Sequence, residues 1–231
     1  MLKAVIFDFN GVIINDEEIH QELINGILLR ENVRPDSSEF QELCLGRSDK
    51  ACLSDILSRR GRMVSDDYLD NLIEAKTFAY REKIESLEEL PIYPELKDFL
   101  THLKQHNLRI GLVTGALLSE VKFILEKAEI LNNFEVIVGG DEIARSKPEP
   151  DGYLLAVEKF NQLDNSLKLT PEDCLVIEDS PAGIEAAKRA KMPVVGIANT
   201  YPYHFMQRLS NWAIDYFSDL ELERVEKALT S

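Results

Sequence analysis

Short apolar runs at residues 4–9, 109–114, 135–138, 174–178 and 194–198 are rich in Val and Ile and do not alternate with polar residues. A strand covered on both faces reads this way, whereas a half-exposed strand alternates. Amphipathic patterns of helical spacing lie between them, at 94–106, 117–128, 152–160 and 181–190. This strand–helix order predicts an α/β chain with a Rossmann-like parallel sheet. Such sheets place ligands at the carboxyl ends of their strands.

One stretch breaks the rhythm. Residues of roughly 15–90 contain no strand pattern, and Ile19, Leu23, Ile24, Ile27 and Leu28 recur at helical spacing. Helical patterns continue over 37–45, 51–60 and 66–84, and Pro91 and Pro94 mark the return. The expectation is a core of residues 1–14 and 91–231 carrying an inserted α-helical domain at 15–90.

The formal net charge of −15 excludes nucleic acid and anionic membranes as natural partners. A small anionic ligand then needs a local positive site. Cys44, Cys52 and Cys174 are too few and scattered for a disulfide framework or a zinc site, so they read as thiols in a reducing compartment. The first residues lack the basic and long apolar regions of a signal peptide, and no run reaches membrane-spanning length. A cytoplasmic monomer is the expectation.

Four signals fall at four strand ends. Asp8-Phe9-Asn10-Gly11 ends the first strand; Asn-Gly also suits a hairpin turn, whereas a carboxylate at a parallel strand's end can act as a nucleophile. Thr114-Gly115-Ala116 offers a hydroxyl and free amides at a helix start, as a phosphate cradle or as an ordinary turn. Lys147-Pro148-Glu149-Pro150 is either a helix start or a fixed ammonium beside a phosphate. Glu178-Asp179-Ser180-Pro181 combines a good N-cap with two adjacent acids. At about 4 Å and an effective dielectric near 20, each like-charge pair costs roughly 4 kcal/mol. A bound cation relieves that cost, and an all-oxygen set with room for water suits Mg²⁺. Their shared edge and complementary chemistry favour the functional reading of all four.

With these residues in hand, the chain resembles the haloacid dehalogenase superfamily, in its β-phosphoglucomutase and phosphoglycolate phosphatase-like group. Asp8-Phe9-Asn10-Gly11, Thr114, Lys147–Pro150 and Glu178-Asp179 stand at the family's motifs, and the helical insertion stands at its cap. The resemblance implies a Mg²⁺-dependent phosphatase or phosphotransferase for a small phosphorylated metabolite. It makes Asp8 the nucleophile and assigns the metal to Asp8, the carbonyl of Asn10, Asp179 and, through water, Glu178. Thr114 and the amides of Gly115 and Ala116 hold phosphoryl oxygens, Gly11 completes the first motif, and Lys147 neutralises charge. In the helical insertion, Gly46-Arg47-Ser48 resembles the substrate-contacting loop, so Arg47 and His20 are candidate substrate contacts, with a plain surface Arg and an ordinary helix His as the alternatives.

Asn10 stands where the family has its general acid and base, and an amide can neither give nor take that proton. The loss costs about 10²–10⁴ in rate. Three functions stay open: a weak or specialised phosphotransferase, a phosphometabolite-binding protein, or C–P or C–halogen cleavage. Phosphonate cleavage needs a lysine in the inserted domain, and Lys50 is the residue near its loop. Glu95 and Gly115 are smaller departures from the family pattern.

Overall fold

The computed structural model describes residues 1–230. Strands β1 (Ala4–Phe7), β2 (Arg109–Val113), β3 (Val136–Val138), β4 (Cys174–Glu178), β5 (Val194–Ile197) and β6 (Trp212–Ile214) form one parallel sheet in the order β3-β2-β1-β4-β5-β6. β1 therefore lies in the middle. Its side chains divide by the period of two: Val5 and Phe7 join one apolar cluster, Ala4 and Ile6 the other. Both faces are covered, which is why the run is apolar throughout. Chain reversal at Asn10-Gly11 produces no hairpin, because β1 pairs in parallel with β2 and β4.

β6 was not foreseen. It is three residues long, sits at the sheet's edge, and its Trp212 and Ala213 are only half-buried, so its apolar signal is brief.

Helices α1 (Glu17–Arg30), α2 (Ser37–Leu43), α3 (Asp49–Arg59) and α4 (Asp66–Ser86) follow β1. They share an apolar cluster of their own, including Ile24, Phe40, Leu53, Ile56 and Ile73, with Leu117 of the sheet layer packed against it. The remaining helices are α5 (Leu96–Gln105), α6 (Leu118–Lys127), α7 (Asp151–Leu163), α8 (Pro181–Arg189), α9 (Tyr203–Leu209) and α10 (Leu222–Thr230). Glu95 precedes α5 with φ 65°, a left-handed conformation that suits glycine better than glutamate.

The cysteine expectation is corrected. Cys44 caps α2, Cys52 lies in α3, and the turn between them brings the two together as a disulfide with a Cα–Cα distance of 4.7 Å. Only Cys174 is a free thiol among the described residues, and it is buried. The inference of a reducing compartment thus loses its support. None of the described helices is long and apolar enough to cross a membrane.

Candidate active site

Adjacent registers bring the motifs together. Phe7 pairs with Leu112 and Ile177, so the residues that follow these strands emerge at one edge. Asp8, Glu178 and Asp179 are buried there, with one oxygen from each lying within 4.8 Å of the others. Lys147 Nζ sits 2.7 Å from Asp8 Oδ1 and 2.7 Å from Glu178 Oε1. Tyr153 donates its hydroxyl to the same Glu178 oxygen at 3.0 Å. The other Glu178 oxygen accepts from the amides of Asp179 and Ser180 and from the Ser180 hydroxyl. Ser180 also caps α8, accepting from the Gly183 amide at 3.1 Å, with Pro181 in the first turn.

The electrostatics follow from burial. Burial and the Glu178 charge raise the Asp8 carboxyl to about 7, against the opposing pull of Lys147. Burial, Glu178 and Asp8 push Asp179 well above the usual carboxylate range, and a hydrogen bond from Thr200 opposes this only partly. Burial would lower Lys147, but Asp8 and Glu178 more than reverse it, so its ammonium is locked on. One cation among three carboxylates leaves the cluster short of positive charge. Its donors are all hard oxygens, which fits a divalent cation such as Mg²⁺.

Gly11 makes the close approach possible. Its φ is +76°, and a Cβ there would meet Asp179 Oδ2 at 1.9 Å. Asn199 donates to the Gly11 carbonyl at 2.8 Å. Thr114 turns its Oγ1 toward the Ala116 amide, which donates to it at 3.0 Å. Thr114, Gly115 and Ala116 line a cavity with Asp8 and Asn10.

The other wall comes from the four-helix segment. Gly46, at φ +73°, lies so close to Ser180 that a Cβ would meet its hydroxyl at 2.1 Å. A Cβ on Gly115 would meet the Arg47 and Ser48 backbone at 2.7 Å. The Ser48 amide donates to Ser146 Oγ at 2.8 Å. The space between the two walls is about 40 Å³.

Asn10 and His20 join a network that the sequence did not reveal. Asn10 Nδ2 donates to Asp16 at 3.0 and 3.1 Å and lies 3.0 Å from His20 Nε2. Asp16 also holds His20 Nε2 at 3.2 Å and receives the Tyr80 hydroxyl. Asp16 stands at the N-cap of α1 but makes no capping bond, which frees its carboxylate. Burial would raise Asp16, yet His20 and the hydrogen bonds from Asn10 and Tyr80 outweigh it, and the group is lowered. Burial and Lys76 press His20 down; Asp16 and Asp49 outweigh them, and the imidazole is raised.

Lys76 Nζ lies 2.7 Å from His20 Nδ1 and donates to Asp49. One signal could have found it: α4 buries Leu69, Ile73, Lys76, Tyr80 and Ile84, a single helical stripe in which one position is a lysine. Lys50, the lysine favoured from the sequence, instead points outward to Asp70 at 2.7 Å. The Arg47 guanidinium bonds to Asp55 at 2.7 Å and to the Leu43 carbonyl at 3.0 Å.

Comparison with known proteins agrees with this architecture. β-Phosphoglucomutase from Bacillus subtilis (strain 168) is 31% identical over 203 residues, covering 87% of this chain and 85% of that protein. A phosphorylated carbohydrates phosphatase from Thermotoga maritima is 27% identical over 190 residues, 82% of each chain. The crystal structure of β-phosphoglucomutase from Clostridium difficile superposes with a TM-score of 0.85 at 24% identity, covering 100% of this chain and 98% of that one. Residues 2–191 match the sequence pattern of the haloacid dehalogenase-like hydrolases, and the chain belongs to that family of enzymes.

Proposed function

We propose that this protein is a Mg²⁺-dependent phosphatase of small phosphorylated metabolites, with slow turnover of esters whose alcohol leaves poorly. One observation carries the reading: the Asp8 carboxylate lies in a buried cluster with Lys147, Glu178 and Asp179 and faces a cavity lined by Thr114, Gly115 and Ala116. The named activities of the relatives, on sugar phosphates and phosphorylated carbohydrates, support the same substrate class.

Asp8 Oδ attacks phosphorus, the bond to the alcohol oxygen breaks, and an aspartyl-phosphate forms; water then attacks phosphorus and returns Asp8 and free phosphate. Asp8, the Asn10 carbonyl and Asp179, with Glu178 beside them, would hold Mg²⁺, and the ion would supply the charge neutralisation that lets carboxylate and phosphate approach. Lys147 favours the ionised form of Asp8 against burial and, 2.7 Å from its Oδ1, holds the carboxylate in place. Thr114 and the Gly115 and Ala116 amides hold the phosphoryl oxygens. Residues 15–90 act as a cap. A space of about 40 Å³ is far below the roughly 300–1,000 Å³ of ligand pockets, which supports a cap that lifts to admit substrate.

Asn10 leaves the departing alkoxide without a proton donor at the family's position. His20, which touches Asn10 and lines the cavity, is a titratable group placed to take over part of that role. Against a typical turnover near 10 s⁻¹, an uncompensated loss leaves roughly 0.1–0.001 s⁻¹ for alkyl esters. Acetyl phosphate needs no acid and is expected to be cleaved far faster than sugar phosphates. A screen of both classes with and without Mg²⁺, beside Asp8→Asn, tests the proposal. Mg²⁺-dependent acetyl phosphate cleavage that Asp8→Asn abolishes supports it, and cleavage that survives either change sinks it.

A further inference from the structure

The wall facing the nucleophile is unusual for a site that binds anions. Glu17 and Asp49 line the cavity. Arg47 is the only lysine or arginine among its described lining residues, and its two terminal nitrogens are already committed to Asp55 and to the Leu43 carbonyl. Its Nε is buried and has no partner. One N–H suffices for a hydroxyl oxygen but lacks the paired donors with which arginine holds a phosphate. Behind His20, Lys76 is engaged with Asp49 and His20.

The adjoining cleft repeats the pattern. It shares Ser48 neighbours Asp49 and Gly115 with the cavity and measures about 1080 Å³, which makes it the natural approach. Asp66, Asp70, Glu74 and Asp141 line it, against Lys50 and Arg81. Lys50 is paired with Asp70, and Arg81 reaches the Ser119 carbonyl.

We infer that the protein selects phosphomonoesters whose alcohol portion is neutral or cationic, such as hydroxylated or amino-substituted sugars, and rejects bisphosphates. This deepens the phosphatase reading and rests on it. One phosphate is accommodated beside Lys147 and the metal; a second would face Asp49 and a Glu17 that ionises above about 7, with Arg47 and Lys76 already engaged. The inference also separates hydrolysis from mutase chemistry, because a mutase must at some stage hold a sugar phosphorylated at two positions.

The test uses the full chain with Mg²⁺ and skeleton-matched pairs: glucose 6-phosphate with glucose 1,6-bisphosphate, fructose 6-phosphate with fructose 1,6-bisphosphate, and glucosamine 6-phosphate as the cationic member. Dissociation constants are read by calorimetry on Asp8→Asn, which cannot turn the compounds over, and kcat/KM on the wild type. A preference of at least tenfold for the monophosphate in a pair is expected in binding. Glu17→Gln and Asp49→Asn are each expected to shrink that ratio at least threefold. A preference below tenfold in both pairs overturns the inference, as does failure of all three monophosphates to bind. An unchanged ratio in both variants overturns the role given to this wall. Selective binding without turnover of acetyl phosphate by the wild type would sink the phosphatase reading and leave the selectivity standing.

Discussion

Residue 10 is an asparagine, and the structure shows what its amide does. Asn10 Nδ2 neutralises nothing, but it gives both Asp16 oxygens a donor. An aspartate there would set a half-buried carboxylate about 3 Å from the buried Asp16, and such a pair shares a proton rather than ionising twice. Asn10→Asp alone is therefore expected to lower stability by about 1–3 kcal/mol, the cost of an unsatisfied buried group. The exchanged pair, Asn10→Asp with Asp16→Asn, keeps one acid and one amide in contact. It should recover the melting temperature and raise sugar phosphate turnover toward the 10²–10⁴ associated with a general acid. An Asn10→Asp variant as stable as wild type would show that this contact is not formed. The sequence displayed Asn10 as a departure. It could not display Asp16 as its partner, because an Asp at a helix start has an ordinary use as a cap.

At the scale of elements, the loop from Cys44 to Cys52 joins α2 to α3 and carries Gly46, Arg47 and Ser48 over the sheet edge. Closing a loop of that length stabilises by roughly 2–3 kcal/mol in the chain-entropy account. Reduction with a dithiol, or Cys52→Ser, should lower the melting temperature and loosen this segment; protection of the 44–52 amides in hydrogen exchange would be the local readout. Equal melting curves with and without reductant would remove the disulfide from the account. The strands, α1 to α8 and the meeting of the strand-end motifs were legible, because burial on two faces and helical spacing leave strong periodic marks. The disulfide and β6 were not. Two cysteines eight apart carry no mark of the turn between them, and a three-residue edge strand buries too little to stand out. Lys76 was readable in principle as a charge on the buried stripe of α4.

For the molecule as a whole, buried acids tie stability to pH and to metal. Asp8 rises from 3.8 to about 7 and Glu17 from 4.5 to about 7, in both cases chiefly through burial. Raised acids mean that the folded state binds more protons than the unfolded chain between these values, so stability falls as pH climbs through that window. Chelator-treated protein should therefore melt at a higher temperature near pH 5 than near pH 8. Mg²⁺ should stabilise more at pH 8 than at pH 5, since it binds the ionised carboxylates. Melting curves at the two pH values, with and without Mg²⁺, check both statements; a metal-free protein that gains stability on going to pH 8 contradicts them. The seam at Gly46 and Gly115 has a consequence for traffic through the enzyme. There, backbone rests on backbone or on one small hydroxyl with one amide bond to Ser146, while farther along Arg81 reaches across to the Ser119 carbonyl and the Phe123 ring, and Leu117 packs into the four-helix cluster. If the two halves part to admit substrate, the glycine seam itself has little to unthread, and Arg81 and Leu117 are the side chains that must let go.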